Sequence, residues 1–316
     1  MKNSSAVLEI EQEEIEQGEN KISKMFKFIY SMFSSKKNVV SIIRLSGVIG
    51  AKVGMKSGLT IESLNEVIED AFKPKRLAAV CIIINSPGGS PVQSEFITSR
   101  IRMLSDQKNI PVYSFVEDVA ASGGYWLATA GDEIYASKNS IIGSIGVVSS
   151  GFGFKDAIEK LGIERRIYTS GKSKSILDPF SGEKKEDIEI IKKLQRQIHD
   201  NFIEQVKKRR KGKLTQNDDI LFNGEFWTGQ VAVDFGLIDD IGEVYSFIKK
   251  NYKDAEIKYC NVKESWFKRK FGIMFGASRN NQDFVDSIIE KSADKLLSKA
   301  SDLIESKLNG EINTSI

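Results

Sequence analysis

Between Asn38 and Cys260 the chain runs in short apolar blocks separated by amphipathic stretches. Val39–Leu45 is the first block and reads as a strand. Thr60 then caps a stretch whose apolar positions, Ile61, Leu64, Val67, Ile68 and Phe72, recur at helical spacing. Ala78–Ile84 is an unbroken apolar run, the pattern of a strand buried on both faces. It ends in Asn85-Ser86-Pro87-Gly88-Gly89. Ser90 follows as a helix N-cap, Pro91 as the first helical residue, and Val92, Phe96, Ile97, Ile101 and Leu104 as the apolar face. A strand over Val112–Val116, a helix from near Ser122 to Gly131, and short strands at Glu133–Ala136 and Ile141–Val148 come next. Lys185–Arg210 carries Ile191, Leu194, Ile198, Phe202 and Val206 on one face and predicts a long amphipathic helix. Thr228–Phe235 predicts a short one, stopped by Gly236. This strand–helix alternation implies an α/β domain with mostly parallel pairing.

The flanks differ in character. Glu9, Glu11, Glu13, Glu14, Glu16 and Glu19 make the start acidic, and residues 1–37 read as a tail. Residues 38–260 form the dense domain. Residues 261–316 turn polar, with Phe284, Ile288, Ile289, Leu296, Leu297, Leu303 and Ile304 marking a C-terminal helical extension. Met25–Phe33 is the most apolar N-terminal stretch. Lys27 interrupts it, and it falls short of the ~20 residues that span a bilayer. With Lys21, Lys24, Lys36 and Lys37 beside it, this stretch is expected either to make weak peripheral contact with a membrane or to cover part of the core. No secretory signal pattern is visible in the polar start, so the expected location is cytoplasmic, including the inner face of the membrane.

Composition narrows the classes of function. Of 316 residues 46 are basic and 43 acidic, a net charge of +3 that gives no reason to invoke nucleic acid. There are two cysteines. Cys81 lies inside the apolar run, so no disulfide framework is expected and a reducing compartment is the simpler inference.

Three glycine-rich segments carry candidate chemistry. Asn85-Ser86-Pro87-Gly88-Gly89 offers turn N–H groups of the kind an oxyanion hole uses, though an ordinary strand-to-helix turn has the same composition. Ala120-Ala121-Ser122-Gly123-Gly124 sets a serine at a helix start with small neighbours, and the Gly123 N–H is a second donor. Taken alone, a helix N-cap serine among packing residues is the simpler reading. Ala120 breaks the Gly-x-Ser-x-Gly pattern of α/β-hydrolases. Thr169-Ser170-Gly171-Lys172-Ser173-Lys174 ends like a phosphate-binding loop, but Arg166 stands where that loop needs glycine. A nucleophilic serine needs a base. The single histidine, His199, sits in the long helix beside its apolar face, where a surface or helix–helix contact role is the simpler one. A lysine serves if its pKa falls; moving it from ~10.4 to near 8 costs about 1.36 kcal/mol per unit. Ser105-x-x-Lys108 fits half of the penicillin-binding pattern, but Lys-Thr-Gly is absent.

Five segments in order resemble the signal peptide peptidase SppA (protease IV) family. They are Asn85-Ser86-Pro87-Gly88-Gly89, Ala121-Ser122-Gly123-Gly124-Tyr125, Gly143-Ser144-Ile145-Gly146-Val147, Ser170-Gly171-x-x-Lys174, and Trp227-Thr228-Gly229-x-x-Ala232 with Gly236-Leu237-Ile238-Asp239. They cover roughly residues 38–245. The resemblance implies a ClpP/crotonase-like α/β fold over 38–260 and a serine endopeptidase working by a Ser–Lys dyad. It implies Ser122 as nucleophile, Lys174 rather than Lys172 as general base, Ser144 orienting the lysine, and Gly88 and Gly123 as oxyanion donors. It further implies peptide substrates, signal-peptide-like or unfolded and hydrophobic, a homo-oligomeric ring with sites completed between neighbours, and no metal or cofactor. Many members carry an N-terminal transmembrane anchor, and this sequence shows none. Two other readings remain: a crotonase-type acyl-CoA enzyme on the same fold, and a catalytically inactive scaffold.

Overall fold

A computed structural model describes residues 37–50, 58–171 and 173–261. The chain divides into units Met1–Val262 and Lys263–Ile316. The Met25–Phe33 segment, Lys172 and the C-terminal extension expected after Asn261 lie outside the described residues.

One mixed sheet organises the first unit. Its main path runs β6 (Phe226–Thr228), β5 (Ile141–Gly143), β3 (Val112–Ala121), β2 (Leu77–Ser86), β1 (Val39–Ser46) and β8 (Glu256–Cys260). β4 (Glu133–Ala136) pairs with β3 and with β7 (Asp240–Ile241). Every pairing is parallel except β5 with β6. The apolar run of β2 is buried on both faces, as its unbroken composition predicts. Val80, Ile82 and Ile84 enter one core and Ala79, Cys81 and Ile83 the other. Burying each of the large aliphatic side chains is worth about 1.5–3 kcal/mol.

The first core lies under α1 (Ile61–Ala71), α2 (Pro91–Lys108), α3 (Gly123–Ala128) and part of α5 (Lys185–Arg209). The second packs on α8 (Val244–Asn251), with Tyr113, Phe115, Tyr135 and Phe247 in ring contact at 4.6–5.3 Å. Three further helices, α4 (Lys155–Lys160), α6 (Asp218–Leu221) and α7 (Gly229–Asp234), complete the described unit. Thr60 forms a capping box with Ser63, and Ser90 accepts from the Gln93 N–H with Pro91 behind it, as the sequence predicts. Gln93 Oε1 then accepts the Ile61 N–H at 2.8 Å, tying α1 to α2.

Several boundaries differ from expectation; the helix expected to reach Gly131 ends at Ala128, and β2 runs on from Ile84 to Ser86. β3 continues past Val116 to Ala121, through Glu117 and Asp118, because its later half pairs with β5 rather than β4. The strand expected over Ile141–Val148 ends at Gly143, because Ser144 takes a left-handed φ of 52° and leaves the ladder. Beyond it, among the described residues from Val148 to Asn201, none is buried.

Candidate active site

The site grows from the carboxyl ends of β2 and β3. β2 ends at Ser86, and Pro87-Gly88-Gly89 turns the chain into α2. Gly88 has φ +106°, and a Cβ there would stand 2.8 Å from the Ala121 carbonyl oxygen and 2.9 Å from the Ser122 Cβ. Glycine is required both by the conformation and by this approach. The Gly88 N–H donates to Ser86 Oγ at 3.2 Å.

β3 delivers Ser122 at its end. Ser122 has φ 52° and ψ −124° and makes no side-chain cap bond, although it occupies the N-cap of α3. The simple capping role is therefore not what its hydroxyl does. A non-glycine residue in this region is strained by roughly 1–3 kcal/mol, which points to function when the surroundings enforce it. They do so here. The Ser122 N–H donates to the Gly143 carbonyl at 2.8 Å, and its own carbonyl accepts from Tyr125 N–H at 2.9 Å. All six residues of α3 are buried. Tyr125 is enclosed, its hydroxyl donates to the Leu237 carbonyl at 2.7 Å, and burial pushes its phenol pKa upward. Trp126 stacks on Phe202 with centroids 5.0 Å apart. Gly123, the first helical residue, has an N–H without an intrahelical acceptor.

Ser144 follows the same Gly143 peptide that holds Ser122. It too has φ 52°, it is half-buried, and its N–H donates to the Glu225 carbonyl at 2.6 Å. Ser122, Gly88, Gly123 and the Gly143–Ser144 peptide are thus gathered on neighbouring strand ends. Lys174 is not gathered with them in the same way. It is exposed in a turn closed by its own N–H to the Gly171 carbonyl at 3.2 Å, and its amine has no partner among the described residues. The arm carrying it folds on itself through Phe152, Phe154 and Phe180 and an Arg165–Asp178 pair. A cavity of about 810 Å³ between arm and α5 is lined by Phe152, Leu177, Ile188 and Ile191. His199 Nε2 lies 3.0 Å from the Ile145 carbonyl, so the side chain meets the loop after β5 rather than another helix. Among the described residues no cluster of three or more His, Cys, Asp or Glu side chains could hold a metal.

Sequence reasoning missed the Ser86 hydroxyl under Gly88 and the side-chain bond from Asn85 Nδ2 to Asp118 Oδ2 at 2.6 Å. The only signal for either was position: Asn85 and Ser86 stand immediately before a glycine turn and Asp118 precedes the serine elbow.

Residues 105–258, from within α2 to β8, match the sequence profile of peptidase family S49. A protein of Enterococcus faecium provisionally named signal peptide peptidase SppA is 31% identical over 241 residues, 73% of this chain and 68% of that protein. The chain belongs to peptidase family S49. The matched span takes in Ser122, Ser144 and Lys174. The Na⁺/H⁺ antiporter NhaA of Brucella melitensis is 50% identical over 229 residues, 72% of this chain. This S49 chain spans 31% of that relative's length. Among solved structures, a mutant of the membrane-bound stomatin-specific protease 1510-N with a substrate peptide has TM-score 0.47 at 18% identity, over 75% of this chain and 98% of that one. Among the described residues no helix is long and apolar enough to cross a membrane.

Proposed function

We propose that the chain is a serine endopeptidase that cleaves unfolded or signal-peptide-like apolar peptides by a Ser122–Lys174 dyad. The observation that carries this is the Ser122 elbow, strained at φ 52° and with its hydroxyl free of any cap bond. In the reaction the neutral amine of Lys174 takes the Ser122 proton as Oγ bonds to the scissile carbonyl carbon. The carbonyl becomes an oxyanion, received by the N–H groups of Gly123 and Gly88, the latter turning from Ser86 Oγ. The protonated lysine then gives its proton to the leaving amine, and a water activated by the same lysine releases the acyl group. Ser144 orients the lysine.

The amine of Lys174 sits on an exposed arm that also displays Val148, Phe152, Leu161 and Tyr168 at 73–91% exposure. An apolar surface of this kind suits self-association. It supports a homo-oligomeric ring in which one protomer's Lys174 serves a neighbour's Ser122. A cytoplasmic setting, with weak contact at the inner membrane face, belongs to the same reading. Its support is that Cys81 and Cys260 are both free.

Casein cleavage tests the reading. Ser122→Ala and Lys174→Ala are each expected to be inactive, and Lys172→Ala active. Mixing and reassembling the two inactive variants should restore about a quarter of the sites if each is built from two protomers of a cyclic ring. No recovery, with both variants folded, would assign the dyad to a single chain. An active Ser122→Ala enzyme would end the proposal.

A further inference from the structure

The ladder between β2 and β3 breaks just before the nucleophile. Ile84 pairs with Val116, and the next pair is Ser86 with Ala120. Two residues advance on β2 while four advance on β3, so β3 carries a bulge at Glu117–Val119. The bulge has a structural consequence. Before it β3 pairs with β4, and after it Val119–Ala121 pairs with β5, whose Gly143 carbonyl holds the Ser122 N–H. Three side chains stitch the bulge to its neighbours. Arg44 of β1 pairs with Glu117, and Ser140 Oγ donates to the Glu117 carbonyl. Asn85 of β2 donates from Nδ2 to Asp118 Oδ2 at 2.6 Å.

The third stitch has a reach that the others lack. Asn85 is the penultimate residue of β2, just before the turn that carries Gly88 over Ser122, and Asp118 lies four residues before Ser122. Among the described residues this is the one side-chain hydrogen bond joining residues 85–90 to residues 117–124. Asn85 is itself anchored, since its carbonyl accepts the Gly47 N–H at 2.9 Å. We propose that Asp118 is a positioning residue which, through Asn85, locks the glycine turn to the serine elbow so that nucleophile and oxyanion donors stay in register. It touches no substrate and acts by holding two backbone segments in place. The proposal rests on the peptidase reading for its catalytic consequence, but the lock itself is a property of the backbone.

Reversing the donor and acceptor provides the test. Asn85→Asp sets two carboxylates against each other, and Asp118→Ala removes the acceptor. The double variant Asn85→Asp with Asp118→Asn rebuilds the same bond the other way round. For peptide cleavage, each single variant should lose roughly 10–100-fold in kcat with KM changed less than about threefold, and the double should return to within about fivefold of wild type. Single variants at wild-type kcat, or a double no better than the singles, would overturn the proposal. Amide exchange at the Ser122 N–H reads the lock without turnover. It should accelerate about tenfold in Asn85→Asp and recover in the double variant; unchanged exchange in the single variant would equally overturn it. Should wild-type Ser122 prove unreactive to a fluorophosphonate, the peptidase reading fails, and the exchange measurement still decides the lock.

Discussion

Replacing Asp239 by alanine is expected to destabilise the fold more than any exposed ion pair would suggest. Asp239 lies just before β7, with its side chain 17% exposed. Its Oδ2 accepts from Arg210 Nη1 at 2.6 Å and from the Ile134 N–H of β4 at 2.7 Å, while Oδ1 accepts from Lys213 at 2.5 Å. The Arg210 side chain is 2% exposed. Its Nε donates to the Gly236 carbonyl at 2.9 Å, and its Nη2 is buried without a hydrogen-bond partner. Arg210 thus has Asp239 as its one ion-pair partner among the described residues. Removing one member of a buried pair destabilises by about 3–5 kcal/mol, because the other charge is left uncompensated. Losing the half-exposed Lys213 contact should cost about 0–1 kcal/mol. For a folded body of this size each kcal/mol moves Tm by roughly 2–4 °C, so a fall on the order of 10 °C is expected. Urea unfolding of Asp239→Ala beside Lys213→Ala is the assay. The pH dependence has a definite sign. Burial works against ionisation of Asp239, but hydrogen bonds from Arg210 and Lys213 outweigh it and hold the carboxyl below its usual range. Its contribution is complete above the ordinary carboxyl pKa of about 4 and is lost as pH falls through the lowered folded value. A loss below about 1 kcal/mol for Asp239→Ala, matching Lys213→Ala, would refute this reasoning.

Other outcomes follow from the same geometry. Gly124→Ala would put a Cβ 2.3 Å from the Ser86 carbonyl oxygen; we expect a loss of about 1–3 kcal/mol in chemical denaturation and slower fluorophosphonate labelling. Burial pushes the Cys81 thiol up to about 12 and raises Cys260, so neither should react with a thiol reagent at neutral pH until the protein is unfolded. His199→Ala should keep cleaving casein, since its Nε2 is engaged with the Ile145 carbonyl; an inactive but folded variant would revive an imidazole base.

Much of the scaffold was legible because its signals are local. The apolar run of β2, the Thr60 cap and the Ser90-Pro91 helix start each depend on a few adjacent residues, and each formed as expected. Ser122 was legible as a candidate from its small neighbours and from the motif order, whereas its left-handed conformation was not. The later half of β3 was hidden because Glu117 and Asp118 interrupt its apolar pattern, and only pairing with Arg44 and Asn85 explains charges there. The early end of β5 was hidden because Ser144 turns to meet the Glu225 carbonyl, 81 residues away in sequence. The partner of Lys174 is not written in the local pattern of one chain, since its amine meets no group among the described residues.

The central claim is that Ser122 is a nucleophile activated by Lys174. The most direct measurement is active-site labelling of the protein with a fluorophosphonate, with the modified residue located by peptide mass spectrometry. The account predicts one phosphonylated residue, Ser122, in wild type and in Lys172→Ala, and loss of labelling in Lys174→Ala at unchanged fold. Labelling at another serine, or equal labelling of Ser122 with and without the Lys174 amine, would contradict it.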